Sequence, residues 1–408
     1  MGDERAASGR SASRKQLLVL AVYAVVIWSV GNGLLPLLPK YAAGLGADDF
    51  AIGIYLATSY AAIALGTASA GWLSDRLGHA RIQMVLLTLA VSPLLIVTSL
   101  ITAFWQVVIL TAIIWWFGGV ALTFASILAG LSAGPDERGT VLGILALTAP
   151  MGSILGGLGI GYLADALGFS GMWLILGLVW LICPAAGLFV VEVRPNPKAS
   201  TVRRTDPTGL RTTAFAILLV CGVLGAFGSF IGGFGRSLVM RTDFSNEAIT
   251  STVAVSGLVT LPFPLLLGFL SDRFGRLRFL ALCYASGIAG LLVYSAAGLL
   301  WQFWTASALV AFVAYVSTSL GSALVVDLVD RESLGRGLAL FGATGWIGGI
   351  LGFAGGGVLF TAIGYANGFL VGAGLLVVAL LLLVPIARSV PANRTARMNG
   401  PGRAPRKG

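Results

Sequence analysis

Gly71-Trp72-Leu73-Ser74-Asp75-Arg76-Leu77-Gly78-His79-Ala80-Arg81 returns as Gly268-Phe269-Leu270-Ser271-Asp272-Arg273-Phe274-Gly275-Arg276-Leu277-Arg278. Gly71, Asp75, Arg76, Gly78 and Arg81 recur as Gly268, Asp272, Arg273, Gly275 and Arg278, each 197 residues on, about half the chain. Both copies are short charged turns bounded by glycine and set between long apolar runs. Two such copies in register point to a membrane protein built from two repeated halves.

Composition agrees. Of 408 residues, 57% are hydrophobic and only 10% charged, against about 25% charged in ordinary soluble domains. That excludes a typical soluble enzyme and makes the lipid bilayer the solvent. The 56 glycines suit a bilayer, where small residues let helices approach closely. The formal charge of +10 is spread over short turns and two tails, so it reads as membrane topology and not as a nucleic-acid surface. Cys183, Cys221 and Cys283 lie inside apolar runs with no paired spacing and no neighbouring His. Neither a disulfide nor a metal site is expected, and no cofactor is implied.

Twelve apolar runs are each long enough to cross about 30 Å of hydrocarbon as a helix. They fall near Gln16–Leu38, Phe50–Gly71, Ile82–Ile101, Phe104–Leu131, Thr140–Leu163, Ser170–Val191, Thr212–Gly235, Ala248–Leu270, Phe279–Ala297, Phe303–Val326, Gly337–Ile363 and Asn367–Ile386. The first is too long for a signal-peptide core and reads as an uncleaved span. An even number of crossings puts both termini on one side. Of the 26 Lys and Arg residues, all but Lys40, Arg236 and Arg241 fall in the turns and tails of that side, which marks it as cytoplasmic. Trp105, Trp173, Trp301 and Trp304 fall at expected outer helix ends, as in an aromatic belt.

The expected organisation is an all-α membrane protein. It comprises a cytoplasmic N-tail (1–15), a six-helix domain (16–191), a cytoplasmic linker (192–211), a second six-helix domain (212–388) and a basic, disordered C-tail (389–408). The linker carries Pro195, Pro197, Pro207 and five basic residues, a composition suited to joining domains.

In the repeated turn, the glycines permit a tight reversal, the carboxylate can sit at a helix N-terminus, and the guanidinium groups can form hydrogen-bonded ion pairs. Gly71 to Arg81 and Gly268 to Arg278 resemble the loops between the second and third and the eighth and ninth spans of the major facilitator superfamily. That family's pattern there is roughly G-x-L-a-D-r-x-G-r-k. The resemblance, covering nearly the whole chain, implies two pseudo-symmetric six-helix bundles. It implies that Asp75 caps the helix beginning near Gly337 and Asp272 the one beginning near Thr140. Each half would latch the other when the cytoplasmic side is closed, which biases the protein towards an outward-open state. Charges that only set topology are the alternative, but topology needs basic residues and not Asp in both copies.

A second repeat sets Asp136-Glu137-Arg138-Gly139 against Glu332-Ser333-Leu334-Gly335-Arg336-Gly337, with Arg138 and Arg336 in matching places. Asp327 is positioned to pair with Arg273. The fourth span has Ala129-Gly130-Leu131 at the corresponding point, where the family usually has a carboxylate, so a complete charge network is expected in the second half only.

Gly152 and Gly156, Gly157 and Gly161, Gly345 and Gly349, Gly348 and Gly352, and Gly352 and Gly356 stand four apart, which predicts close helix crossings. Gly152 to Gly157 resembles the G-P-x-x-G-G motif of family antiporters, with Ser153 at the proline. The drug antiporters' fourth-span arginine is replaced by Trp115-Trp116-Phe117 before Gly118-Gly119. No ionisable residue is expected near the middle of any span, so no proton relay is evident. Asp165 and Arg236 are expected to fringe an outer vestibule.

Neutral polar and aromatic residues remain for binding: Trp28, Asn32, Tyr55, Ser59, Tyr60, Trp115, Trp116, Phe230, Tyr315 and Thr318. Their convergence between the halves would suit a neutral or amphipathic substrate, or a cation held on indole faces. Trp115, beside a glycine pair, is the foremost candidate.

The function expected is secondary transport of a small molecule by alternating access, as a monomer in the cytoplasmic membrane. Efflux of a neutral, amphipathic or cationic compound leads. Nutrient uptake, or a non-transporting sensor or scaffold on the same fold, is the alternative. No enzymatic chemistry is implied. None of the four lysines lies in a phosphate-binding glycine loop, and the acidic cluster Asp327, Asp330 and Glu332 is interleaved with Arg331 and Arg336 as an ion-paired turn.

Overall fold

The computed structural model describes the backbone of residues 2–77, 79–132, 138–191, 212–263, 266, 271, 273, 275–330 and 333–398, and side chains from Lys15 onward except those of 74, 75, 77, 80, 138–140, 142 and 389–398. The order is α1 (Gly2–Leu34), α2 (Leu38–Gly44), α3 (Asp49–Leu77), α4 (Ala80–Thr98), α5 (Phe104–Ser132), α6 (Arg138–Trp180), α7 (Ile182–Leu188), α8 (Thr213–Asp243), α9 (Asn246–Thr260), α10 (Arg276–Ser295) and α11 (Leu300–Ala311). A π-helical segment (Phe312–Val316), α12 (Ser317–Leu328) and α13 (Leu334–Met398) follow.

Nine helices among the described residues are long and apolar enough to cross a membrane. Two of these apolar stretches, Gly143–Leu188 (46 residues) and Leu334–Arg388 (55 residues), exceed the need of one crossing, about 20 residues. Each is broken by one glycine with positive φ: Gly168 (φ 70, ψ 172) in α6 and Gly364 (φ 79, ψ 169) in α13. Reversal at these points makes each a pair of crossings. With α9 leading into the second charged turn, the architecture is consistent with twelve crossings.

The side chains invert the soluble pattern. Leu65, Leu100, Leu282 and Leu381 are mostly exposed, as lipid contact requires, while small residues and hydroxyls face inward. Hydroxyl groups return hydrogen bonds to the preceding turn, as Thr88 does to Met84 and Thr111 to Val107, which keeps those hydroxyls paired in apolar surroundings. Gln16, where the apolar span of α1 starts, ties that helix to the end of α5 and to the chain after α7 at one face of the helix array: its amide donates to Ser132 Oγ (2.7 Å) and Val191 O (3.0 Å) and accepts from Val191 N (2.9 Å). We call this the terminal face and its opposite the far face.

Most of the glycines spaced four apart meet another helix, though a Cβ on Gly345 would meet nothing within 4 Å. Gly152 and Gly156 lie on Trp28 and Ser29 of α1, Gly157 on Thr250 and Ala254 of α9, and Gly348 and Gly352 on the turn from Val223 to Phe230 of α8. Three sequence expectations need correction. Trp173 is buried against Tyr41 (centroids 5.9 Å apart) and is no belt residue, unlike the exposed Trp105, Trp301 and Trp304. The seventh span, expected to end at Gly235, continues to Asp243, because nothing in Arg236-Ser-Leu-Val-Met breaks a helix. The last helix runs on to Met398, so residues 389–398 are helical and not a disordered tail. The linker 192–211 lies outside the described residues.

Candidate functional site

A cavity of about 570 Å3 lies between the first and second halves of the chain, walled by α1, α3, α6, α8, α9, α13 and the segment from α11 to α12. Towards the terminal face its lining includes the exposed Thr318, Ser319 and Gly342. At the far face, contacts between the two halves close it. Asp49, at the start of α3, forms an ion pair with Arg241 in the last turn of α8 and accepts a hydrogen bond from Tyr365 Oη at 2.5 Å. Lys40 Nζ donates to Phe244 O at 2.8 Å. Asp165 accepts from the backbone N–H groups of Asn246 (3.1 Å) and Glu247 (2.8 Å). A carboxylate there satisfies orphan donors and meets the positive end of the α9 dipole.

Of the residues expected to bind substrate, Trp28, Asn32, Tyr60, Phe230, Tyr315 and Thr318 line the cavity. Tyr60 is the hub of an aromatic wall, with ring centroids 4.6 Å from Phe230, 5.2 Å from Phe353 and 5.6 Å from Trp346. Trp115 does not reach the lining. It stands behind Tyr60, centroids 5.9 Å apart. Trp116 packs on Phe117 (5.1 Å), and its backbone abuts Gly66 at the crossing of α3 and α5. Tyr55 is buried edge-on against Phe104 (5.8 Å), and Ser59 Oγ donates to Tyr55 O. These four sit on the side of their helices that faces a neighbouring helix, which spacing in the sequence alone does not distinguish from the cavity side.

Opposite the aromatic wall runs a polar one. Asn32 Nδ2 donates to Ser153 Oγ (2.8 Å), which is 3.4 Å from Tyr315 Oη. Tyr315 lies in the π-helical segment, the kind of irregularity that often marks functional sites in helices. Tyr294 Oη and Ser307 Oγ share a hydrogen bond of 2.6 Å, and Arg236 Nη1 donates to Ser307 Oγ at 3.4 Å. Arg236 is 7% exposed and lines the cavity; it does not fringe a vestibule. Since α8 runs seven residues beyond it, the guanidinium sits about 10 Å inside the helix end.

The duplicated turns are described in part. The side chain of Asp75 and the whole of Gly78, Gly268 and Asp272 lie outside the described residues, as does the side chain of Arg138. Gly71, Arg76, Arg273, Arg278 and Arg336 are exposed, and the Arg76 guanidinium lies 5.3 Å from the Trp72 ring centre. Arg81 donates to the carbonyl of Leu188. The partner shown for Asp327 is Arg276, at 3.1 Å, in place of the expected Arg273; Arg276 also donates to Ala323 O at 2.7 Å. Gly275, with φ 90, turns the chain immediately before Arg276 and starts α10 there, which brings Arg276 to α12.

The far-face residues Asp49, Arg241, Tyr365 and Asp165 were not singled out as a closure from the sequence. Their signal was the rarity of charge on that side, where only Lys40, Arg236 and Arg241 are basic. Among the described residues no group of three or more metal-ligating side chains is present.

Comparison with known proteins agrees with this architecture. Residues 18–240 and 218–406 match the family model described as the Major Facilitator Superfamily. Curated relatives include the multidrug resistance protein MdtG of Dickeya zeae (strain Ech586), 26% identical over 60% of this chain and 63% of that protein. MdtG of Escherichia coli O6:K15:H31 is 26% identical over 59% and 62%. The match thus spans under two thirds of these relatives' length. Among solved structures, a mutant form of the nucleoside transporter NupG superposes with a TM-score of 0.75 at 17% identity, covering 91% of this chain and 99% of that one. A bacterial homolog of the human lysosomal transporter Spinster, inward-facing and unoccupied, gives 0.71 at 15% identity, covering 96% and 99%. With the family model matching both halves and the duplicated turns falling between its helices, this chain belongs to the major facilitator superfamily of membrane transporters.

Proposed function

We propose that this chain is a secondary transporter of the cytoplasmic membrane that exports a small amphipathic molecule by alternating access, with both termini in the cytoplasm. One observation carries the reading: the cavity between the halves is closed at the far face by contacts that join them, and has exposed lining residues towards the terminal face. The distribution of basic residues makes the terminal face cytoplasmic, so this is the state in which an exported compound loads. The curated relatives named multidrug resistance proteins favour export over uptake.

Transport needs a second state in which the far face opens and the terminal face closes. The duplicated turns supply that closure, Asp75 and Asp272 capping helices of the opposite half. Nothing is chemically altered, so the site needs to bind and release only. A mixed aromatic and polar lining suits a compound with an apolar body and a few hydrogen-bonding groups.

The test is a thermal-shift screen of the purified protein against neutral, cationic and anionic amphipaths, followed by flux of the hits in proteoliposomes. A ligand of the folded state raises apparent stability by mass action. Hits that are transported, lose binding in Tyr60→Ala and keep binding but slow in Asp75→Asn are expected. Binding without flux would favour a sensor or scaffold, and no hit in any class would overturn the reading.

A further inference from the structure

Arg236 is the only ionisable Lys, Arg, His, Asp or Glu among the described lining residues of the cavity. It is more than nine-tenths buried, its Nε has no hydrogen-bond partner, and its guanidinium meets only neutral hydroxyls, Ser307 Oγ at 3.4 Å and that of Tyr294. The ion pairs shown among the described residues join Asp49 to Arg241 and Asp327 to Arg276; neither involves Arg236. Its neighbours are neutral hydroxyls, those of Ser307, Tyr294 and Tyr315.

A guanidinium stays charged at every physiological pH and is planar, with five donors. Buried without a carboxylate, such a charge costs several kcal/mol, and within a membrane it marks a substrate path. The missing partner is an acceptor of negative charge. Tyr294, Tyr315 and Ser307 can add hydroxyl donors to the same group, and the aromatic wall around Tyr60 can take an apolar body.

We propose that the transported compound is an amphipathic organic anion, whose carboxylate or equivalent acidic group binds Arg236 while its aromatic or aliphatic body lies against Tyr60, Phe230, Trp346 and Phe353. The inference rests on the transport function proposed above and narrows its substrate class. It replaces the neutral or cationic preference, because a cation would face an uncompensated like charge in a site of low dielectric.

The experiment compares each acid with its own methyl ester: 2-naphthoate, 4-phenylbutyrate and salicylate, bound to the purified full chain at pH 7.5 in a buffer of low ionic strength and low chloride that contains no other carboxylate, so that no competing anion occupies the guanidinium. The ester keeps the body and removes the charge. At least a tenfold preference for one or more acids is expected in the wild type, retained in part by Arg236→Lys and abolished by Arg236→Gln, with ester affinity unchanged. Equal or tighter binding of the esters in the wild type overturns this inference and leaves the transport reading standing. Failure of every acid and ester to bind overturns the inference, and transport is then judged by the wider screen. The wild-type comparison decides the matter even if Arg236→Gln fails to fold.

Discussion

Asp49 accepts hydrogen bonds from two residues of the second half, Arg241 and Tyr365, and so joins the halves at the far face. The Asp49 and Arg241 side chains are 16% and 23% exposed, intermediate between a surface pair of about 0.2–1 kcal/mol and a buried one. With the tyrosine bond the contact contributes about 1.5 kcal/mol to the far-face-closed state, and 1.4 kcal/mol is a factor of ten in an equilibrium. Asp49→Asn should therefore raise far-side thiol labelling of a Ser237→Cys reporter roughly tenfold; Ser237 is a buried lining residue, and the three native cysteines are buried enough to give little background. Labelling unchanged from that of the reporter alone would mean that this contact does not hold the gate. Ser153 carries a different lesson. Read against the family motif it is a departure from proline, yet in the fold its hydroxyl connects Asn32 to Tyr315 across the halves. The sequence located the position and not its partners, since those come from helices more than a hundred residues away.

Helix α6 shows how one element serves two interfaces. Gly152 and Gly156 face α1 within the first half, whereas Gly157 and Gly161 face α9 of the second. A Cβ on Gly157 would come within 2.6 Å of Ala254 N and 2.8 Å of Thr250 O, and one on Gly156 would strike the Ser29 backbone. Gly156→Ala should lower thermal stability, by about 1–3 kcal/mol as overpacking does. Gly157→Ala should instead loosen the far-face closure, read as increased labelling at Ser237→Cys with a smaller loss of melting temperature. Gly31→Ala, where a Cβ meets nothing within 4 Å, serves as the neutral control in melting and labelling. Equal behaviour of Gly156→Ala and Gly157→Ala in both measurements would contradict the division of labour. The breaks at Gly168 and Gly364 lie 196 residues apart, close to the 197 of the charged turns, so the duplication is written in the backbone as well. Spacing four apart revealed which glycines share a helix face. It was silent on which helix each face meets.

At the scale of the whole molecule, the duplication produces an approximate exchange of roles between the halves at the far face. The corner at Asp165 holds the start of α9, and the corner at Tyr365 holds Asp49 at the start of α3. The duplicated turns would do the same at the terminal face, giving two closures whose alternation moves the cavity from one side to the other. The terminal face is expected to be cytoplasmic: a reporter fluorescent only in the cytosol should be bright when fused after Gly408, and an alkaline phosphatase fusion there should be inactive. The reverse result would invert the direction assigned to transport. The duplicated turns, the twelve apolar runs and the imbalance of basic residues made membrane class, repeat and expected orientation legible in the chain itself, because lipid demands long apolar helices and topology follows charge in the turns. Six of ten expected cavity residues reach the lining, since aromatic and small polar residues within spans are rare enough to notice. The buried setting of Arg236, the far-face closure through Asp49 and Asp165, and the exclusion of Trp115 from the cavity were decided only by tertiary structure. A helix presents every side of itself to something, and whether that is lipid, a neighbour or an open cavity depends on how the other helices pack around it.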